Sequence, residues 1–196
     1  MKPHPPAKAP PLPSGAQNLN PPGIGFWALV KEDFVTHERD WFSQGFWAVF
    51  WHRFGNARMS HPRMIRLPMT LVYLVMRKLC QILGGIKLDY TVALGRRVKI
   101  EHFGGMVLGA RSIGSDVIIR QNTTMGIRSL DDLNGKPVIE DGVSIGAGAV
   151  IVGHIVIGAH SVIGANCVVS RSVPPGSFVR SAPVEVRPLR SRPDLP

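Results

Sequence analysis

The sequence predicts a mainly β protein, a solenoid of short parallel strands preceded by an α-helical region. An aliphatic residue recurs every six positions over residues 139–169 and 88–106 and, after a one-residue slip, over 113–125. Neither a helix nor a flat strand gives this spacing unless the chain turns a corner once per repeat. Three hexads then close one triangular turn, with the aliphatic residues inside the prism. The positions two before the later aliphatic residues are small or apolar: Val143, Ala149, Ile155, Ser161 and Cys167.

Four segments are predicted along the chain. A proline-rich start without an apolar leader indicates a disordered arm rather than a signal peptide. Aromatic residues at three- and four-residue spacings then indicate amphipathic helices, and the hexads and a basic end follow. The predicted boundaries are residues 1–25 for the arm, 26–86 for the helical region, 87–175 for the solenoid and 176–196 for the basic tail.

The helical region holds one membrane candidate, a helical run over residues 69–83. Pro68 is expected to break the chain before it, and Gly84 to cap its end. The run carries Arg77 and Lys78 in its interior and is shorter than the ~20 apolar residues that a spanning helix needs. We therefore expect a buried or interfacial helix rather than a transmembrane one.

The chain of 196 residues has a formal net charge of +10. This charge suits an anionic ligand, an anionic membrane surface or nucleic acid. Nucleic acid is disfavoured because the aromatics cluster at core-like spacing instead of alternating with basic residues. Cys80 and Cys167 are far apart in the sequence, so we expect reduced thiols without a disulfide. A cytoplasmic location is expected, with peripheral contact at the inner face of the cell membrane as an option.

One interruption of the repeat predicts a loop. Residues 125 and 139 lie 14 positions apart instead of six, so eight residues are surplus, and they include the polar stretch 129–136. A solenoid ejects such an insertion at a corner, and insertions of this kind tend to lie on the binding face.

Among seven histidines, His102 has the most informative surroundings. It follows Glu101 and precedes the flexible stretch 103–105, where backbone can approach a ligand closely. An imidazole is well suited to take a proton from a hydroxyl near neutral pH; the alternative is a corner histidine that only faces solvent. His154 and His160 are six apart, hence on different faces, and no third ligand is spaced to join them. No metal site is predicted.

Several motifs carry a resemblance to a known family. They are IEHFGG at 100–105, IRQNTTMG at 119–126, KPVI at 136–139, VSIGAGA at 143–149 and IGAN at 163–166, with RD at 39–40 and HRFGN at 52–56 upstream. This pattern resembles the left-handed β-helix acyltransferases, specifically the serine acetyltransferases and the related acetyltransferases of bacterial exopolysaccharide synthesis, including the colanic acid type. The resemblance implies a left-handed coil, against the usual right-handed preference of parallel crossovers, and acyl transfer from a coenzyme A thioester.

The resemblance also implies roles for individual residues. His102 matches the general base that deprotonates the acceptor hydroxyl while its oxygen attacks the thioester directly, without an acyl-enzyme. Backbone N–H groups near Gly126 and Ile127 are expected to steady the oxyanion, an effect of a few kcal/mol. Ala147 and Ala165 match positions that face the pantetheine arm of acetyl-CoA between two subunits. The family assembles trimers, so each active site would need two chains; a homotrimer is expected here, with a dimer of trimers as the alternative.

The chain departs from the family at the residue that orients the histidine. The expected carboxylate falls at Lys87, and a cation cannot take that part. Asp89 is the candidate replacement, so the predicted catalytic set is His102, Glu101 and Asp89.

The acceptor side departs as well. Asp40 matches one of the two carboxylates that hold serine, but the longer Glu101 replaces the other. An Arg-His pair appears as Gly135-Lys136, which removes a fork suited to a carboxylate. The predicted acceptor site comprises Asp40, Glu101, Lys136 and Gln121.

Three functions are therefore open. The leading hypothesis is an acetyl-CoA-dependent O-acetyltransferase acting on a hydroxyl of a saccharide or exopolysaccharide precursor. L-Serine O-acetylation is the alternative, supported by Asp40 and Glu101. A non-catalytic solenoid scaffold in polysaccharide assembly is the second alternative, and the cation at Lys87 is its best support.

Overall fold

A computed structural model describes residues 9–182. Two helices, α1 (Phe26–Thr36) and α2 (Gln44–Ala57), are followed by a short 3-10 turn (Arg58–Ser60) and a long helix, α3 (Arg63–Leu83). Ser43 caps α2 by accepting a hydrogen bond from the Phe46 N–H. Gly84 follows α3 and Gly85 adopts a positive φ of 62°, which ends the helix as predicted.

The rest of the described chain is a three-sided parallel β-helix. Up to β13 every third strand stacks in the same sheet, β14 follows β12 in the third sheet, and all pairings are parallel. The first sheet holds β1 (Ile86–Lys87), β4 (Met106–Leu108), β7 (Thr124–Gly126), β10 (Val150–Val152) and β13 (Val168–Val169). The second sheet holds β2 (Ala93–Leu94), β5 (Ser112–Ile113), β8 (Val138–Ile139) and β11 (Val156–Ile157). The third sheet holds β3 (Lys99–Ile100), β6 (Ile118–Ile119), β9 (Ser144–Ile145), β12 (Val162–Ile163) and β14 (Phe178–Val179). The predicted fold class is thus confirmed.

The hexad residues form the core of the prism. Ile139 lies above Ile113 and below Ile157, and all three are buried. Ile113 and Ile139 are 26 residues apart, whereas Ile139 and Ile157 are 18 apart. The difference of eight residues is the predicted loop, which leaves between β7 and β8. The five companion positions that the sequence predicted to point inward are buried as well.

The corners place two demands on the backbone. The residue three after an inward aliphatic residue takes a positive φ, as Asn122 and Asn166 do, and asparagine tolerates this region better than most residues. The glycines that directly follow the aliphatic residue serve a different purpose. A Cβ on Gly146 would lie 2.6 Å from the backbone N of Ala165 in the next turn, so this position needs glycine for close stacking.

The helices close the open end of the prism. The first turn has no turn below it, so its backbone groups need other partners. The His52 ring bonds the Val92 carbonyl (2.9 Å), and the Asn56 amide donates to the Tyr90 carbonyl (2.9 Å). The Arg53 guanidinium donates to the Leu94 carbonyl at 2.8 Å. Helix α2 therefore fixes the end of the solenoid to the helical region.

We expect His52 to make the fold sensitive to acid. Burial, together with the positive charge of Arg53, lowers its pKa from 6.5 to about 3. Between these two values the unfolded chain binds more protons than the folded one, so the free energy of unfolding falls as the pH drops from 6.5 towards 3 and is flat above. The loss amounts to up to ~5 kcal/mol. Urea unfolding at a series of pH values measures it, and His52→Gln should flatten the slope; an unchanged slope contradicts the assignment.

Three features of the described residues differ from the predictions. Residues 9–25 form no helix or strand, yet they lie along the protein rather than forming a free arm, because the Arg111 guanidinium donates to the carbonyls of Pro10 and Pro11. Helix α3 begins before Pro68, which it holds in its second turn. The solenoid continues past residue 175 because β14 pairs with β12. The end of the basic tail, residues 183–196, lies outside the described residues. Among residues 9–182 no helix is long and apolar enough to cross a membrane.

Candidate active site

His102 stands at a strained corner of the first turn. It is exposed, directly follows Glu101 at the end of β3, and has a φ of +65°. Five other non-glycine corner residues of the solenoid share this conformation, each three positions after an inward aliphatic residue, but His102 is only two after Ile100. Gly104 and Gly105 continue with positive φ. This backbone, off the regular pattern, turns the imidazole outward, and such strain concentrates at functional sites.

A polar cavity of about 350 Å³ opens beside His102. Glu101 lines it from the solenoid, and Asp40 lines it from the turn between α1 and α2. The Asp40 carboxylate is held in place because its Oδ1 accepts a hydrogen bond from the Phe42 N–H at 2.8 Å. The structure therefore brings together three of the predicted residues, His102, Glu101 and Asp40, from two distant parts of the sequence.

Charges of both signs surround this cavity. Glu101 accepts from Arg120 Nε at 3.0 Å, and its other oxygen lies 3.3 Å from Lys99 Nζ. Lys99 also donates to Glu38 at 2.6 Å. This hydrogen bond lowers the pKa of Glu38 and raises that of Lys99, so both stay charged. The cavity thus offers carboxylates to a cationic group and an ammonium to an anionic group of the same ligand.

His37 lines the cavity as well, and no sequence pattern predicted this. Its Nε2 accepts a hydrogen bond from the Ile100 N–H at 3.2 Å, so Nδ1 carries the proton and donates to the Asp33 carbonyl at 2.8 Å. Burial lowers the pKa of His37, which keeps the ring neutral. The bond to Ile100 ties the end of α1 to the strand that carries Glu101 and His102. His37 follows Asp33 by four residues, about one helical turn, and this spacing is the one local sequence feature that connects the two residues.

Four predicted residues lie along one edge of the prism. The backbone ladder stacks the corner of His102 under that of Gln121, then Ala147, then Ala165: the Gly148 N–H donates to the Gln121 carbonyl and the Asn166 N–H to the Ala147 carbonyl, at 2.9 and 2.8 Å. With adjacent strands about 4.8 Å apart, this edge extends about 14 Å from His102 to Ala165. Within residues 9–182, no backbone hydrogen bond uses the N–H of Ala147 or Ala165. The edge therefore offers free donors to an extended amide-bearing ligand.

The other predicted residues lie on a different edge. Asp89, Lys136, Gly126 and Ile127 line a groove of about 260 Å³ between the first and second sheets. The Asp89 carboxylate pairs with the Arg77 guanidinium. Within one chain, neither Asp89 nor Lys136 is among the residues that surround His102, so Asp89 does not orient its imidazole there. The strand order explains this separation. Asp89 lies at the corner before β2, whereas His102 lies at the corner after β3, so one full side of the triangle separates them.

Sequence comparisons agree with this geometry. Residues 136–171 match the family model described as bacterial transferase hexapeptide (six repeats). The chain is 30% identical to a serine acetyltransferase of Bacillus licheniformis, over 82% of this chain and 77% of the relative. It is 39% identical to the Mycobacterium tuberculosis serine acetyltransferase, over 54% of this chain and 47% of the relative. A plasmid-encoded serine acetyltransferase of Synechococcus elongatus is 34% identical, over 71% and 45%. The chain thus spans less than half the length of the last two relatives.

Solved structures give the same result. The soybean serine acetyltransferase in complex with serine has a TM-score of 0.64 and 28% identity, over 80% of this chain and 67% of that one. The apoenzyme from the same plant has a TM-score of 0.66 and 26% identity, over 81% and 67%. The left-handed coil implied by the resemblance agrees with these matches. By repeat, architecture and homology, the chain belongs to the left-handed β-helix acyltransferase family, as a homologue of the serine acetyltransferases.

Proposed function

We propose that this protein transfers the acetyl group of acetyl-CoA to a hydroxyl, with L-serine as the first acceptor to consider. The observation that carries the proposal is the meeting of His102, Glu101 and Asp40 at one end of an edge whose backbone N–H groups at Ala147 and Ala165 are free. The relatives reported above are serine acetyltransferases, which favours L-serine over the saccharide that the sequence analysis put first. Acetyl-CoA as donor, and a cytoplasmic site of action where acetyl-CoA is made, belong to the same proposal.

In the proposed mechanism His102 acts as general base. Its imidazole takes the proton of the acceptor hydroxyl while the oxygen attacks the thioester carbonyl. A C–O bond forms, the C–S bond breaks, and the thiolate of coenzyme A receives the proton from His102. In this proposal backbone N–H groups near Gly126 and Ile127, from the edge of a second copy, stabilise the negative charge that develops on the carbonyl oxygen.

The charges of the cavity fit a zwitterionic acceptor. Asp40 and Glu101 provide carboxylates for the ammonium group of L-serine, and Lys99 provides a cation near the same cavity for its carboxylate. Arg120 and Lys99 already pair with Glu101, which fixes its position and shares its charge. A pre-positioned carboxylate of this kind orients a small acceptor at low entropic cost.

A saccharide hydroxyl is the second candidate acceptor. A cavity of about 350 Å³ exceeds what serine fills. Gln44 lines both this cavity and a neighbouring apolar one, so the space extends beyond a single amino acid. These observations favour a larger acceptor.

The proposal includes a homotrimer. His102 and Gln121 lie on one edge of the prism, while Gly126, Ile127 and Lys136 lie on another. One chain cannot bring both edges to the same thioester, whereas the edge of a second copy set beside the first can. Sedimentation of the purified protein measures this: a trimer, or a pair of trimers, agrees with a shared site, and an active monomer contradicts it.

We expect release of free coenzyme A thiol from acetyl-CoA to depend on added L-serine. In Glu101→Gln the KM for L-serine should rise about tenfold, because an ammonium contact worth about 1.4 kcal/mol is lost, while kcat changes less. Asp116→Asn, which neutralises an exposed carboxylate at the third edge of the prism, between β5 and β6, is the matched control and should behave as the parent. If coenzyme A release does not depend on serine but rises with added hexoses or nucleotide-linked sugars, the acceptor is a saccharide rather than L-serine.

A further inference from the structure

Helix α3 turns its apolar side away from the protein. Its inner side is polar: the Arg58 guanidinium lies over the Tyr73 ring at 4.6 Å, Thr70 accepts from Arg58, and Arg77 pairs with Asp89. Tyr73 is its one buried residue. The side chains exposed on the opposite side form what we call the outer face of α3: Met64, Ile65, Leu67, Leu71, Val72, Leu74, Val75, Leu79, Ile82 and Leu83.

The width of the outer face indicates what it contacts. At 100° per residue, it covers about half of the helix circumference, from Leu74 round to Leu83, over a length of about 32 Å. A helix that pairs with another helix needs only a narrow seam of apolar residues. A face this wide suits a helix that lies in the plane of a lipid surface with one half immersed. A second copy of α3 would leave much of the outer face in water.

The charges on α3 favour an anionic lipid surface. The helix has no acidic residue; besides Arg77, which is engaged with Asp89 on the inner side, it carries Arg63, Arg66 and Lys78. Lys78 is exposed within the outer face, and its long aliphatic stem allows the ammonium to reach the headgroups while the methylenes stay apolar. Each basic residue near an anionic surface contributes about 1 kcal/mol. The net charge of +10 for the whole chain has the same sign.

Aromatic side chains extend the outer face towards the active site. Trp41 and Phe42 are 62% and 89% exposed, and tryptophan favours the membrane–water interface. With Trp47, Leu79 and Leu83 they line an apolar cavity of about 390 Å³. Gln44 lines this cavity and the cavity of His102 too. The apolar surface and the proposed active site therefore open side by side.

We propose that this protein docks on an anionic lipid bilayer through the outer face of α3, with Trp41 and Phe42 as interfacial anchors. The helix lies flat in the headgroup region and does not span the bilayer. The cavity of His102 then faces the membrane surface. This docking goes beyond the proposed acetyl transfer and does not depend on it.

Vesicle flotation with the full chain tests the docking. We expect the protein to float with vesicles of phosphatidylcholine that contain phosphatidylglycerol, and at least tenfold less with phosphatidylcholine alone. The combined variant Leu71→Gln, Val75→Gln and Ile82→Gln should lose flotation at least tenfold. These side chains are exposed, so the variant should fold. A matched control, Val156→Gln, Val162→Gln and Val168→Gln, changes three exposed valines of the solenoid and should float as the parent.

Each other outcome overturns the docking. Flotation that is absent, equal with neutral vesicles, or unchanged in the α3 variant shows that lipid does not contact this face. If the α3 variant floats as the parent does but sediments as a smaller assembly, a second copy of the chain covers the outer face of α3. Because flotation is measured without acetyl-CoA or acceptor, and coenzyme A release is measured without vesicles, failure of the docking and failure of the proposed activity are distinguishable.

Discussion

His102→Asn is expected to lower acetyl transfer by about 10²- to 10⁴-fold, the usual contribution of a general base. Asparagine tolerates the φ of +65° at this corner better than alanine does, yet its amide cannot take the hydroxyl proton. His102 is exposed, so the change should leave the thermal unfolding midpoint nearly unaltered. Coenzyme A release, measured with each acceptor in turn and beside a melting curve, gives both quantities.

His160→Asn is the matched control for this result. His160 is also an exposed histidine at a solenoid corner, with a φ of 58°, but it lies on a later turn, away from the His102 cavity. It should retain full activity. If both variants transfer acetyl at the parent rate, His102 is no base. If the parent itself shows no transfer with serine or sugars, the chain is the non-catalytic scaffold that remained open from the sequence.

The fold was predictable from the sequence because its signal is periodic and local. A residue such as Ile145 is inward for a reason that repeats at Ile139 and Ile151, and one hexad predicts the next. Even the loop between β7 and β8 followed from counting, since eight surplus residues cannot fit into a turn. The three helices carried no such repeat. Helix α3 holds Pro68 as its sixth residue although proline has no N–H to bond the Met64 carbonyl, so this proline does not mark the start of the helix as predicted.

The site was only partly predictable because its residues share an edge through stacking rather than spacing. His102, Gln121 and Ala147 are separated by 19 and 26 residues, intervals that depend on the one-residue slip and on the loop. Asp89 is close to His102 in sequence but one side of the triangle away in space. His37 and Asp40 reach the site from the helical region, a long-range contact that a single sequence does not encode in any local pattern.

The largest effect on stability is expected from Arg53→Met. The Arg53 side chain is fully buried and pairs with the fully buried Asp33 at 3.0 Å. It also donates to the carbonyls of Leu94 and Gly95, at the open end of the prism. Removing one partner of a buried ion pair leaves the other charge uncompensated, which costs about 3–5 kcal/mol. Urea unfolding measures the loss as a lower midpoint with an unchanged slope.

Arg96→Met provides the comparison, because Arg96 pairs with Glu32, the neighbour of Asp33, but is partly exposed. A pair of this kind contributes about 0–1 kcal/mol. An equal loss in both variants would contradict the view that burial decides the effect.

The pH dependence of the Arg53→Met loss identifies its cause. Burial already raises the pKa of Asp33, and the charge of Arg53 opposes that rise. Without Arg53 the folded-state pKa of Asp33 moves further above its unfolded value, so the folded variant gains protons as the pH falls. Its deficit relative to the parent should therefore shrink as the pH falls from 8 to 5. Below about pH 6.5 a second effect acts in the same direction, because the charge of Arg53 also helps to lower the pKa of His52. A deficit that is constant across this range would assign the loss to the unpaired carbonyls of Leu94 and Gly95 instead of the charge of Asp33.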